Sequence, residues 1–120
     1  MRVLYIDDES DIREIAEIAL GLDPDFEVRT AASAEDALSL MDEWLPNLAL
    51  LDVMMPHMDG PALLSKLRTI NRYRALPVIF VTARAQRSEL HNFATMDAVG
   101  VIAKPFDPMT LAARVRELTA

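Results

Sequence analysis

The sequence predicts an α/β fold: a five-stranded parallel sheet, doubly wound with five helices. Three observations predict it. Val3–Ile6, Leu48–Leu51, Val78–Val81 and Val99–Ala103 are apolar at consecutive residues and do not alternate, as in strands covered on both faces. The segments between them carry apolar residues at helical spacing, and strands alternating with helices imply a parallel sheet sandwiched by helices. Glycines number three and prolines seven, most of them punctuating the pattern, which suits short loops. At 120 residues the chain is sized for one domain, expected over residues 1–120.

The elements follow in order. After the first run, Ile12, Ile15, Ala16, Ala19 and Leu22 form a stripe, with Ser10 as N-cap and Asp23-Pro24 as breaker. A weaker run at Phe26–Thr30 is the second strand. Ser33 with Asp36 reads as a capping box for a helix striped by Ala34, Ala37, Leu38, Met41 and Leu45, ended by Pro46. Gly60-Pro61 opens a third helix that turns Leu63, Leu64, Leu67 and Ile70 inward. A fourth helix is expected from Ser88 through Leu90, Phe93 and Ala94. Asp107 as N-cap and Pro108 in the first turn start the last helix, with Leu111, Ala112, Val115 and Leu118 inward.

Composition removes whole classes of function. There is no cysteine, hence no disulfide framework, thiolate metal site or cysteine nucleophile. Two histidines, His57 and His91, are too few for a histidine-rich zinc site. A net charge of −7 repels phosphate backbones and argues against nucleic-acid binding by the domain itself. An apolar content of 52% excludes disorder. No stretch reaches the roughly 18 apolar residues of a membrane span. Asp7 interrupts the first run too early for a signal peptide, so no membrane partner and a cytoplasmic location are expected.

In an open α/β sheet, ligands sit beyond the carboxyl ends of the strands, where the strand order reverses. The first run ends at Asp7-Asp8-Glu9, the third at Asp52, the fourth at Thr82 and the fifth at Lys104-Pro105. If the strand order is 2-1-3-4-5, the order of a flavodoxin-like sheet, the first and third strands flank the switch point, and Asp7, Asp8 and Asp52 would meet at one end with Thr82 and Lys104 beside them. Two carboxylates about 4 Å apart repel by about 4 kcal/mol at an effective dielectric near 20. One lysine does not neutralise three of them, whereas a divalent cation does. Oxygen ligands without nitrogen or sulfur select a hard ion, Mg²⁺ first. A metal beside a carboxylate, a hydroxyl and an ammonium is equipment for phosphoryl transfer.

At these residues the chain resembles a two-component response-regulator receiver domain, with a flavodoxin-like fold, from end to end. The matching motifs are Tyr-Ile-Asp-Asp-Glu at 5–9, Leu-Leu-Asp-Val-Met-Met-Pro at 50–56 with Asp-Gly at 59–60, Val-Thr-Ala at 81–83 and Ala-Lys-Pro-Phe at 103–106. The resemblance implies that Asp52 accepts the phosphoryl group and that Mg²⁺ is held by Asp8 directly, Asp7 largely through water, Asp52, and the Met54 backbone carbonyl. It implies that Thr82 binds the phosphoryl group, that Lys104 pairs with its oxygens, and that the Lys104-Pro105 peptide is cis. The implied partners are a sensor histidine kinase or a histidine phosphotransfer protein as donor and a downstream protein as target. The implied output surface is the fourth helix, the fifth strand and the last helix. Dimerisation on phosphorylation, the identity of the target, and whether the domain stands alone or belongs to a longer regulator are left open.

One position departs from the family pattern. Three residues before the lysine, where receivers commonly carry Tyr, Phe or His, this chain has Val101. A valine cannot act as a rotating ring, so the switch is expected in the loop Ala83 to Ser88 and the helix it feeds. Met54 and Arg84, as long side chains near the site, are expected to slow hydrolysis of the phosphate. Methionines 54, 55 and 58 read as loop packing, His57 as an exposed loop residue, His91 as a surface helix residue and Trp44 as partly buried packing. Two other classes compete with the signalling module. A haloacid-dehalogenase-type phosphatase requires an acid two residues after its nucleophile, where Met54 stands. A flavin-binding module requires a glycine- or hydroxyl-rich phosphate loop after the first strand, where Asp-Asp-Glu stands, and an inactive receiver is opposed by the joint presence of Asp7, Asp8, Asp52, Thr82 and Lys104.

Overall fold

The computed structural model describes residues 1–83 and 97–120. Five strands, β1 (Arg2–Ile6), β2 (Glu27–Ala31), β3 (Leu48–Asp52), β4 (Val78–Thr82) and β5 (Gly100–Ala103), form one parallel sheet in the order β2-β1-β3-β4-β5. Each predicted run becomes a strand, with ends within one residue of expectation. Among the described residues there are four α-helices: α1 (Ser10–Gly21), α2 (Ala34–Glu43), α3 (Gly60–Arg68) and a C-terminal helix (Leu111–Thr119). The fifth helix, expected from Ser88, lies outside the described residues, as do Arg84, Arg87, His91 and most of the loop expected to switch. A 3₁₀ turn (Asn71–Tyr73) follows α3.

Strand side chains alternate between faces, and the sheet separates two cores accordingly. Leu4, Ile6, Ala49, Leu51, Val78 and Phe80 join α2 and α3 through Ala37, Met41, Leu63 and Leu67. Val3, Tyr5, Leu48, Leu50, Ile79 and Val81 join α1 and the C-terminal helix through Ala16, Leu20, Leu111 and Val115. β3 and β4 are buried along their whole length, which explains their continuous apolar runs.

Helix boundaries differ from expectation in instructive places. Ser10 is the first residue of α1, not its cap; Glu9 takes the N-cap position without a side-chain hydrogen bond. The inward stripe of α1 is Ile12, Ala16, Ala19 and Leu20, a true i, i+4, i+7, i+8 face, and it leaves Ile15 and Leu22 exposed. Ser33 accepts from the Asp36 amide as predicted. α2 ends at Glu43, so Leu45 lies past it and is exposed, while Trp44 is buried at the C-cap. The Trp44 indole donates to Glu27, and the Arg2 and Arg29 guanidinium groups lie over its ring. Ile70 lies just beyond α3 and packs on the first core. Asp107 does not cap the last helix. Its carboxylate accepts from the Met109 amide and closes a turn over Pro108, and the helix proper begins at Leu111 after Thr110. Of the loop methionines, Met55 and Met58 pack on the first core, but Met54 points to solvent, 54% exposed.

Candidate functional site

Strand register sets the site. Ile6 pairs with Leu51, so Asp7, just past β1, and Asp52, the last residue of β3, come level. Asp52 pairs with Val81 and Thr82 with Ala103, which puts Thr82 one step beyond Asp52 at the end of β4 and Lys104 a further step on, just past β5. The loops are fixed by backbone hydrogen bonds: Asp7 N–H to Ala31 O, Val53 N–H to Val81 O, and Lys104 N–H to Thr82 O at 2.8 Å. Asp7, Asp52 and Thr82 are the buried polar residues of the described chain, while Asp8 is exposed at the mouth. The Lys104-Pro105 peptide is cis, as expected.

One carboxylate oxygen from each of Asp7, Asp8 and Asp52 lies within 4.8 Å of the others. The Lys104 ammonium sits between two of them, 2.7 Å from Asp7 Oδ2 and 3.3 Å from Asp52 Oδ1, with its side chain 12% exposed. Burial, and then the charge of Asp7, push the Asp52 carboxyl up to about 6, against the opposing pull of Lys104 and the Met54 amide. Burial pulls the Lys104 ammonium down, but Asp7 and Asp52 more than reverse this and its pKa is raised. Among the described residues, three acids around one lysine leave the cluster short of positive charge. An all-oxygen donor set without histidine or cysteine fits a hard divalent cation, so these residues suit Mg²⁺.

Several supporting groups escaped the sequence reading. Tyr5 donates its phenol O–H to Asp7 Oδ2 at 3.0 Å. Its position two residues before Asp7, on the same strand face, is the signal that could have found it. Burial, reinforced by Asp7, pushes that phenol far above its ordinary range, so it stays a neutral donor. The Glu9 amide donates to Asp7 Oδ1 at 3.0 Å, and Arg13 on α1 donates to the Asp7 carbonyl at 2.8 Å. The Met54 amide donates to Asp52 Oδ1 at 3.3 Å. The Asp-Gly pair at 59–60 has a steric meaning: Asp59 caps α3 through the Ala62 amide, and a Cβ on Gly60 would lie 2.6 Å from the Asp52 carbonyl oxygen. Glycine is what lets α3 start against the strand end that carries Asp52. His57 is an exposed loop residue with φ of 69°, as its loop position suggested.

A doubly wound parallel sheet with an acidic, lysine-bridged pit at its topological switch point defines a class of α/β module that works at the carboxyl edge of its strands. Comparison with known proteins narrows that class. The family model of the response regulator receiver domain matches residues 3–116. The chain is 39% identical over 118 residues, 98% of its length, to response regulator Rre1 of Synechocystis, of which it covers 51%. It superposes on the chemotaxis response regulator CheY4 of Vibrio cholerae with a TM-score of 0.87 at 28% identity, covering 98% of this chain and 97% of that one. A response regulator from Chloroflexus aurantiacus gives 0.86 at 32% identity, with 98% and 95% covered. The chain belongs to the response regulator receiver family, whose members are signalling modules of two-component systems. It spans about half the length of the curated relatives it matches. Among the described residues, no helix is long and apolar enough to cross a membrane.

Proposed function

We propose that residues 1–120 form one receiver unit that takes a phosphoryl group from the phosphohistidine of a sensor kinase or phosphotransfer protein onto Asp52. The observation that carries this reading is the Lys104 ammonium shared between two buried carboxylates, Asp7 Oδ2 and Asp52 Oδ1. That cation offsets part of the carboxylate charge and stands beside the oxygen that would take the phosphoryl group. Asp52, ionised at neutral pH with its pKa near 6, attacks the phosphorus in line. A P–O bond forms, the P–N bond to the donor imidazole breaks, and the electron pair leaves on that nitrogen, which takes up a proton. Lys104 turns to the new phosphoryl oxygens, and the Thr82 hydroxyl, on the adjacent strand end, donates to another. Asp7, Asp8, Asp52 and the Met54 carbonyl would hold Mg²⁺, which would supply further charge neutralisation when bound.

The same site hydrolyses its own phosphate, so the module turns over no outside substrate, and its output is a changed surface near β5 for a downstream protein. Incubation with Mg²⁺ and acetyl phosphate is expected to add one phosphoryl mass to the chain and none to Asp52→Asn. Multiple-turnover release of phosphate from a small ester would sink the reading in favour of a phosphatase.

A further inference from the structure

We propose that Tyr5 is a positioning residue of this site: its phenol O–H holds Asp7 Oδ2 so that the Lys104 ammonium can leave Asp7 for a phosphoryl group on Asp52. The inference rests on the phosphoacceptor reading above. Asp7 is completely buried. Its Oδ2 takes two donors, the phenol at 3.0 Å and the ammonium at 2.7 Å, while Oδ1 takes the Glu9 amide. A buried carboxylate oxygen stripped of donors is strongly disfavoured. When Lys104 turns to phosphoryl oxygens it withdraws from Asp7. With Tyr5 present, each oxygen of Asp7 still keeps one neutral donor. Without the hydroxyl, Lys104 is the one remaining donor to Oδ2 among the described residues, and the ammonium is held back by the carboxylate it would orphan.

The seat of the phenol is built for this task. Tyr5 is fully buried, and its ring meets the Phe106 ring edge-on, centroids 6.4 Å apart at 73°. Phe106 lies two residues after Lys104, so one loop supplies both the departing ammonium and the ring that steadies its replacement. A phenylalanine at position 5 would fill the same space and keep the ring contact, yet donate nothing.

The test uses Tyr5→Phe in the full chain, with phosphorylation by acetyl phosphate followed by intact mass. At saturating Mg²⁺ the rate is expected to fall about tenfold, the scale of one hydrogen bond to a charged group. The Mg²⁺ Kd, measured by calorimetry without phosphodonor, is expected to stay within about twofold, the margin below which we count no loss. In a Lys104→Met background the same substitution is expected to cost less than about twofold, because there is no ammonium left to release. Phe106→Leu, which keeps the phenol but loosens its seat, is expected to give a smaller loss in the same direction and serves if the first variant does not fold. A wild-type rate in these variants overturns the proposal. So does an undiminished loss in the Lys104→Met background, or a parallel weakening of Mg²⁺ binding, which would mark a collapsed cluster. A wild-type chain that takes up no phosphoryl group overturns the phosphoacceptor reading and this inference together, whereas phosphorylated wild type beside an unaffected Tyr5→Phe overturns this inference alone.

Discussion

Replacing Asp52 by Asn should stabilise the metal-free protein, and the gain should depend on pH. Asp52 is 3% exposed and shares the pit with buried Asp7, so its ionised form is disfavoured by desolvation first and by repulsion second. Its pKa rises from an ordinary 3.8 to about 6. The folded state therefore binds the proton more tightly than the unfolded chain does. For such a group, stability is highest below the unfolded value and is lost as pH rises through the folded one. At about 1.4 kcal/mol per pKa unit the full cost is about 3 kcal/mol, of which about 2 kcal/mol develops between pH 4 and pH 7. Asparagine removes the charge while its Oδ1 can still accept from the Met54 amide and Lys104, the two contacts Asp52 Oδ1 makes. Urea denaturation in EDTA across that range should show the advantage of Asp52→Asn growing by about 2 kcal/mol, a midpoint shift of about 1 M. Added Mg²⁺ should close the gap by stabilising the wild type more. An advantage that stays flat from pH 4 to pH 7, or a variant less stable than wild type at pH 7, would refute the electrostatic account of the pit.

Three further outcomes follow from single observations. Gly60→Ala puts a methyl 2.6 Å from the Asp52 carbonyl oxygen; it should cost about 2 kcal/mol by overpacking against backbone and shift the Asp52 amide resonance. Tyr73→Phe should stabilise the fold by about 1 kcal/mol in the same urea assay, because the buried Tyr73 hydroxyl finds no hydrogen-bond partner among the described residues. Asp23, held down to about 2 first by its hydrogen bond with Arg116 on the C-terminal helix, should titrate well below free aspartate by carboxyl NMR. Its folded-state pKa is depressed, so the tie to the C-terminal helix is complete above pH 3.8 and lost as pH falls through about 2; Arg116→Ala should raise the Asp23 pKa part of the way back, because the Asp25 amide still donates to its carboxylate.

The strands were legible because consecutive burial on two faces leaves an unmistakable mark. Val78–Thr82 is buried at every residue, and no helix surface would tolerate that run. The grouping at the candidate site was legible for a related reason: Asp7, Asp52, Thr82 and Lys104 interrupt apolar runs at their carboxyl ends, where a parallel sheet collects them. Helix faces and caps were less so. Ile12, Ile15, Ala16, Ala19 and Leu22 also fit a helical stripe, and only packing shows that Leu20 turns inward while Ile15 and Leu22 do not. Asp107-Pro108 carries a cap signature, but its carboxylate is used one turn early. Tyr5 and Arg13 were missed because each looks structural in isolation; their meaning comes from what stands next to Asp7 in space.

Val101 poses the remaining question of how the pit reaches the surface. It faces Phe80 in register across β4 and β5 and packs, half-buried, on the first core, too short to swing between two positions. Other groups touch both the pit and the outer layer. The Lys104 amide is bonded to the Thr82 carbonyl, so the backbones of the strand ends that carry the hydroxyl and the ammonium are tied together. Two residues on, Phe106 leaves that loop, meets the Tyr5 ring and packs on the second core, to which Leu111 of the C-terminal helix also belongs. Any shift of Lys104 toward a phosphoryl group therefore pulls on a short segment whose next aromatic is wedged between a ligand of Asp7 and the layer that seats the C-terminal helix. A chain built this way can register a change in its buried charge without a rotating ring on β5.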